Sequence, residues 1–251
     1  MKSNNLFTTI QRASRPQIQS RLSPRQHTHS ASSHTQGLPP LRLMPLGGSV
    51  TQGVGSSCST GYRKPFLSLL QGHGFNAQMV GSRSSSASLP HHNHEGWRGF
   101  RIDEIERKAR KSVESLRPNV FAVNAGSNDC LQAFDIENAG ARIAALLEYL
   151  WRASPGSTVL LSTLLVSADR EVDVRVVRVN SQFRALVERE RAAGRRVVLV
   201  DMYGVDGPQV DCLVDGIHPD DAGYDRMARL WFGGVQQALR EGFLNSPQDG
   251  V

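Results

Sequence analysis

The sequence contains no run of about 18 apolar residues, which is the length that a membrane-spanning helix requires. Residues 6–10 form the only apolar stretch near the start of the chain, and they are too few and too polar for the core of a secretory signal. No internal repeat is visible in the 251 residues. We therefore expect no membrane span, and the sequence shows no signal for secretion.

Acidic residues are missing from residues 1–40, which carry five of the six net positive charges of the chain. The remaining 211 residues are nearly neutral, and this distribution argues against a basic face for nucleic acid. Residues 1–40 also have few large apolar side chains, so we expect them to be disordered, and we expect a second disordered tail at residues 245–251. The first segment also fits a mitochondrial transit peptide or an ordinary linker, and the compartment stays open.

Cysteine is scarce as well. The three cysteines, Cys58, Cys130 and Cys212, allow at most one disulfide and leave at least one thiol unpaired. The sequence does not specify a pair, and three free thiols fit it equally well.

Strand-like and helix-like patterns alternate five times along the chain. Short apolar strands are predicted at residues 41–46, 75–80, 120–123, 158–165 and 197–200, and helices at 62–70, 102–116, 139–151, 172–192 and 222–239. This order predicts one α/β domain over residues 41–244, a three-layer α/β/α sandwich around a five-stranded parallel sheet. Ligands bind at the carboxyl ends of the strands in such sheets.

Residue types that can catalyse acyl transfer lie after the first predicted strand and before the last predicted helix. Ser49 follows the first strand, and Asp215 and His218 precede the closing helix, where Pro219 is expected in the first turn. A serine needs a base to remove its proton, and an Asp can orient the imidazole that does so. The structural alternatives are a helix cap for Ser49 and a capped turn for Asp215.

A third polar turn follows the predicted strand at residues 120–123. Asn128 has an amide that can donate a hydrogen bond to a developing oxyanion, whereas the ionised Asp129 cannot donate one. The sequence Gly-Ser-Asn-Asp is also ordinary turn chemistry. Its place beside the strand of Ser49 favours the functional interpretation.

Four blocks of the sequence resemble, in order, those of the SGNH hydrolases, also called GDSL-type esterases. They cover residues 47–50, 96–102, 126–129 and 215–218, and the resemblance spans roughly residues 41–240. Within that family, the sequences Met-Pro-Leu-Gly before Ser49 and His-Glu-Gly before Trp97 are most similar to carbohydrate esterase family 3 and to fungal acetylxylan esterases. The resemblance implies a flavodoxin-like fold.

The resemblance also implies a function, a serine esterase that deacetylates carbohydrate without metal or cofactor. Ser49, His218 and Asp215 would be the catalytic residues. The backbone amides of Ser49 and Gly99 (or Gly96 in place of Gly99) and the side chain of Asn128 would form the oxyanion hole. Glu95 and Trp97 would line the substrate site. We expect a monomer, and the resemblance suggests an extracellular protein.

One departure from the family pattern keeps other functions open. Gly48 stands where the family usually has Asp, which leaves the support of the serine turn in doubt. The alternatives are a lysophospholipase or thioesterase on the same fold, or a carbohydrate-binding module with little or no activity. A zinc site at His91, His92 and His94 is a further alternative, although no fourth ligand with suitable spacing is evident beyond Glu95.

Overall fold

The structure is a computed structural model, and it describes residues 37–84 and 93–248. Of the segments predicted to be disordered, 1–40 and 245–251, residues 1–36 and 249–251 lie outside these ranges, as do His91 and His92 of the zinc alternative. Residues 245–248, in contrast, contact the domain. The carbonyl of Asn245 accepts a hydrogen bond from the Asn119 amide at 2.6 Å, and the carbonyl of Gln248 accepts one from Arg42 at 2.7 Å.

A parallel sheet forms the centre of the domain, which confirms the predicted fold class. Its main strands lie in the order β2-β1-β4-β5-β6, and each of these strands pairs in parallel with its neighbours. A sixth strand of two residues, β3, pairs with the end of β1 and was not predicted, because two residues carry no periodicity. The strands are β1 Leu41–Gly47, β2 Ala77–Met79, β3 Glu95–Gly96, β4 Val120–Asn124, β5 Thr158–Ser162 and β6 Val197–Val200.

Seven α-helices lie within the described residues. Five match the predicted helices, and α1 and α4 are single turns directly after β1 and β4, too short for a periodic pattern. Their bounds are α1 Ser49–Gln52, α2 Arg63–Gly72, α3 Ile102–Leu116, α4 Ser127–Leu131, α5 Ala139–Ala153, α6 Arg170–Ala192 and α7 Asp221–Arg240. Within the described ranges, none of these helices combines the length and apolarity needed to cross a membrane.

Side chains on alternate positions of each strand enter two separate cores. Leu43 and Val120 face α2 and α7, whereas Met44 and Phe121 face α3, α5 and α6. This alternation follows from the two-residue repeat of a strand, and it produces the three layers. The largest fully buried side chain, Trp231 of α7, packs against the rings of Tyr62 and Phe66, as expected of a core residue.

The three cysteines are free. Cys58 is exposed, and Cys130 and Cys212 are buried. The structure therefore follows the alternative with no disulfide.

The direction of the chain across the sheet reverses at β1. The connection after β1 leads to β2 on one side, and the chain then returns to β4 on the other side. A crevice forms at the carboxyl ends of two strands at such a point, and ligands bind there in open α/β sheets. The sheet order thus directs attention to the ends of β1 and β4.

Candidate active site

Ser49, His218 and Asp215 form one hydrogen-bonded line at the carboxyl end of β1. The Oγ of Ser49 lies 2.8 Å from Nε2 of His218, and Nδ1 of His218 lies 2.7 Å from Oδ2 of Asp215. Because a carboxylate can only accept, Nδ1 carries the proton and Nε2 is left to accept from the serine hydroxyl. Ser49 and His218 are each only 8% exposed. The arrangement can therefore remove a proton from Ser49.

The serine turn depends on a glycine at position 47. A Cβ atom there would lie 2.1 Å from the carbonyl oxygen of Asn124 and 2.4 Å from Oγ1 of Thr51. Gly47 pairs with Asn124 across β1 and β4, so any side chain would separate the two strands at this edge. Ser49 then begins α1, whose single turn is closed by Gly53 in the left-handed conformation.

The loop that carries His218 is held by its own aspartate. Oδ1 of Asp215 accepts hydrogen bonds from the backbone N–H of Ile217 at 3.1 Å and of His218 at 2.8 Å. The N–H of Val214 donates to the His218 carbonyl at 2.9 Å, which closes the loop. One carboxylate therefore orients both the backbone and the ring of His218.

Asp215 remains ionised in this loop although half of its side chain is exposed. Partial desolvation raises its pKa, but the hydrogen bonds from the His218 side chain and from the backbone of His218 and Ile217 lower it more. The net result is a pKa below the ordinary value. The carboxylate is therefore negatively charged and can stabilise an imidazolium at His218.

Pro219 differs from its predicted position. The last helix begins at Asp221, and its N-cap is Asp220, whose side chain accepts from the N–H of Gly223 at 2.8 Å. Pro219 therefore lies just before the cap and not in the first turn. It pairs with Leu213 in an isolated bridge that ends the His218 loop.

Asn128 lies beside Ser49 at the start of α4. Its Nδ2 donates to the Phe100 carbonyl at 3.0 Å, and the residue is 8% exposed. Asn128 and Ser49 line a small cavity of about 10 Å³, together with Gly48 and Gly126. Since an amide nitrogen has two N–H groups, the bond to Phe100 leaves one to donate elsewhere.

The absence of a side chain at Gly48 opens this cavity. A Cβ atom at position 48 would lie 3.3 Å from Nδ2 of Asn128, so a larger residue would crowd the amide. The backbone of the serine turn keeps its bonds without a side chain at this position. The N–H of Gln52 donates to the Gly48 carbonyl at 3.1 Å, and that of Gly53 to the Ser49 carbonyl at 3.0 Å.

Gly96 and Gly99 differ in what their backbone N–H groups can reach. The N–H of Gly96 donates to Nδ1 of His94 at 2.9 Å, and burial lowers the pKa of His94 to about 3, so that its ring stays neutral and accepting. Gly99 precedes α3 with φ +82°, and no described residue accepts from its N–H. Of these two glycines, only Gly99 therefore has a backbone N–H that is free to donate to a ligand.

Glu95 is fully buried, which corrects the expectation that it contacts substrate. Its Oε1 accepts from the Ser82 N–H at 2.5 Å and the Ser112 hydroxyl at 2.6 Å, and its Oε2 accepts from the Trp97 indole at 3.0 Å. Both oxygens are engaged, so Glu95 braces the loop from behind. No sequence pattern indicates this role, because Ser112, which donates to Oε1, lies on the following helix.

Trp97 is half-buried, and charged side chains lie near its ring. The guanidinium of Arg83 lies 4.6 Å and the ammonium of Lys108 5.2 Å from the ring centre, and the Phe100 ring lies 5.9 Å away. Glu95 fixes the indole from its edge. Contact between Trp97 and substrate stays a prediction.

Arg63 is a buried residue that sequence reasoning missed. Its Nε donates to the Thr51 carbonyl at 3.0 Å, and its Nη2 donates to the Gln52 carbonyl at 3.1 Å, so it holds the last turn of α1. The residue has no exposed surface, and burial lowers its pKa to about 10. The signal was present, since Arg63 shares a helical stripe with Phe66 and Leu70.

Asp129 is fully buried next to Asn128, and it joins three elements. Its carboxylate contacts the guanidinium of Arg142 on α5, and its Oδ2 accepts from the Ile102 N–H of α3 at 3.2 Å. Arg142 also reaches Asp103 at 3.0 Å, whose side chain is 46% exposed. Asp129 therefore anchors the turn that presents Asn128.

Removal of the Asp129 carboxylate should destabilise the fold. Asp129→Ala leaves the charge of Arg142 and the Ile102 N–H without their buried partner, so we expect the free energy of unfolding to fall by about 3–5 kcal/mol. Chemical denaturation measures it. The matched control is Asp103→Ala, which removes an exposed partner of the same arginine and should cost only about 0–1 kcal/mol. Equal losses in the two variants would contradict the anchoring role.

Comparisons with known proteins agree with the fold. The model of the GDSL-like lipase/acylhydrolase family matches residues 46–226. A multidomain esterase of Ruminococcus flavefaciens is 24% identical over a 226-residue alignment that covers 80% of this chain and 29% of that protein. The chain thus spans less than a third of that relative's length.

Solved structures show the same fold. A family 3 carbohydrate esterase of Clostridium thermocellum is 25% identical with a TM-score of 0.71, and the match covers 80% of this chain and 98% of that one. A carbohydrate esterase family 3 protein of Talaromyces cellulolyticus is 21% identical with a TM-score of 0.68, and the match covers 80% and 99%.

Proposed function

This chain belongs to the GDSL-like lipase/acylhydrolase family, and we propose that it is a carboxylic ester hydrolase in which Ser49, His218 and Asp215 carry out a two-step acyl transfer that removes acetyl groups from carbohydrate. The observation that carries the mechanism is the hydrogen-bonded line from Asp215 through His218 to Ser49, at 2.7 and 2.8 Å. The substrate class rests on the likeness to carbohydrate esterases of family 3.

The first step acylates the serine. Oγ of Ser49 attacks the ester carbonyl carbon while its proton passes to Nε2 of His218. Asp215, ionised and bonded to Nδ1, stabilises the imidazolium that forms. When the tetrahedral intermediate collapses, the bond to the alcohol oxygen breaks and His218 returns the proton to that oxygen. The alcohol leaves and an acyl-serine remains.

The negative oxygen of the intermediate needs donors that are already in place. We assign this role to the second N–H of the Asn128 amide and to the backbone N–H groups of Gly99 and Ser49. The bond from Asn128 to the Phe100 carbonyl holds the amide beside Ser49 before substrate arrives. Such preorganised donors act mainly in the transition state, because the charge develops only there.

The second step releases the acid. A water molecule gives a proton to Nε2 of His218 and attacks the acyl-serine, and the proton then returns to Oγ of Ser49 as the acid departs. The side chains described here account for every proton that moves. Neither step draws on an oxidant or reductant.

A series of p-nitrophenyl esters from acetyl to palmitoyl, run beside acetylated xylan, tests the function. We expect turnover to be highest on acetyl esters and to fall steeply beyond butyryl, with release of acetate from the xylan. Ser49→Ala should show no turnover on any of these substrates, because no hydroxyl remains for His218 to activate. Circular dichroism checks that the variant folds.

Two outcomes of that series would replace the proposal. A maximum at octanoyl or longer would favour the lysophospholipase or thioesterase alternative. Binding of acetylated xylan by wild type without turnover of any ester would favour the binding-module alternative, with Gly48 as the departure from the family pattern.

The orienting role of Asp215 has its own test. Asp215→Asn should lower kcat by about 10²–10⁴-fold with little change in KM, because an amide favours the tautomer whose Nε2 cannot accept the serine proton. Steady-state kinetics measures the two constants. A variant with the kcat of wild type would reduce the site to a Ser–His pair.

The pH dependence of kcat/KM tests the ionised state of Asp215. Because its partners hold the pKa of Asp215 below the ordinary value of 3.8, that carboxylate stays ionised above pH 5. Asp215 should therefore add no ionisation to the profile of kcat/KM above pH 5, and Asp215→Asn should show as many ionisations in that range as wild type. An ionisation above pH 5 that wild type shows and Asp215→Asn lacks would contradict this assignment.

The donor role of Asn128 predicts a selective loss of kcat. Asn128→Ala should cut kcat about 10²–10³-fold with little change in KM, the typical effect of losing one oxyanion donor. The matched control is Gln132→Ala, which removes an exposed amide of the same turn that donates to the Gly99 carbonyl at 3.3 Å. Full kcat in Asn128→Ala would make Asn128 a turn residue only.

A further inference from the structure

A second small cavity adjoins the one that contains Ser49, and its walls are mainly apolar. Its volume is about 20 Å³, and the residues that matter here are Val50, Leu131, Leu165, Val166, Val176 and Ile217. They come from α1, α4, the segment after β5, α6 and the His218 loop. All of these except α6 meet the carboxyl edge of the sheet, where the reaction takes place.

The position of this cavity relative to Ser49 follows from shared walls. Val50 and Ser127 line both cavities, and Val50 is the residue next to Ser49. Ile217 in turn directly precedes His218. The serine therefore has the cavity of Asn128 and Gly126 on one side and an apolar cavity nearby.

The substituents of the tetrahedral carbon can be assigned by elimination. Besides Oγ of Ser49, that carbon carries the oxyanion, the alcohol oxygen and the acyl group. The oxyanion needs N–H donors and belongs near Asn128. The alcohol oxygen must reach Nε2 of His218, and a sugar attached to it is too large and too polar for 20 Å³ of apolar space. Only the acyl group fits the apolar cavity.

We propose that this apolar cavity is the acyl pocket, and that Ile217 and Leu131 set the length of acyl chain that the enzyme accepts. The inference rests on the proposed function and refines it. A cavity of this size holds about one water-sized group, so the methyl of an acetyl ester fits and a longer chain meets the packed side chains. Ile217 thereby links acyl size to the position of His218.

Enlarging the pocket should change chain-length preference. In Ile217→Ala, we expect the ratio of kcat/KM on p-nitrophenyl hexanoate to kcat/KM on p-nitrophenyl acetate to rise about 10–100-fold over wild type. This is the discrimination that a few methylene groups produce in an apolar pocket. Leu131→Ala should raise the same ratio from a different element. The matched control is Val214→Ala, whose exposed side chain (57%) lies in the His218 loop but outside the pocket; its ratio should equal that of wild type.

The outcomes separate this inference from the proposed function. The acyl pocket is supported if wild type hydrolyses p-nitrophenyl acetate and the hexanoate-to-acetate ratio of kcat/KM rises in both pocket variants but not in Val214→Ala. The acyl pocket alone is overturned if wild type hydrolyses p-nitrophenyl acetate but this ratio is unchanged in both pocket variants, or rises as much in Val214→Ala. Failure of wild type on every ester overturns the proposed function and this inference together.

Discussion

The close pairing of β1 with β4 is the constraint on which the site depends. Gly47 lies so near the Asn124 carbonyl that no side chain fits between them, and this contact brings the turn after each strand to the same point. Ser49 begins the turn after β1, and Asn128 lies in the turn after β4. Ser49 and the Asn128 amide, which are 79 positions apart in sequence, are thereby placed beside one cavity.

The remaining pieces reach that point through buried polar contacts. His218 is 169 residues from Ser49 and meets it through one hydrogen bond, because Asp215 holds the loop and the ring in place. Arg63 secures the carbonyls of α1, and Asp129 connects the Asn128 turn to two helices. Each of these groups is a polar side chain placed in or near the core, which is costly unless it is paired. These buried polar contacts therefore fix the positions of the side chains in the site.

The sequence predicted the parts of the fold that periodicity governs, and it missed those that tertiary contacts govern. The bounds of α3 and β6 are those predicted, whereas α1, α4 and β3 are too short to carry a pattern. The convergence of Ser49, Asn128 and His218 followed from topology alone. The burial of Glu95 and the choice between Gly96 and Gly99 did not, because they depend on Ser112 and His94, whose contacts only the folded chain shows.

The proposed mechanism requires that Ser49 is a nucleophile and that His218 activates it. Reaction with a fluorophosphonate, followed by peptide mass spectrometry of wild type and of His218→Ala, measures this activation. We expect one phosphonate on Ser49 in wild type and its loss, or a rate lower by orders of magnitude, in His218→Ala. Labelling at another residue, or undiminished labelling of Ser49 without the imidazole, would contradict it.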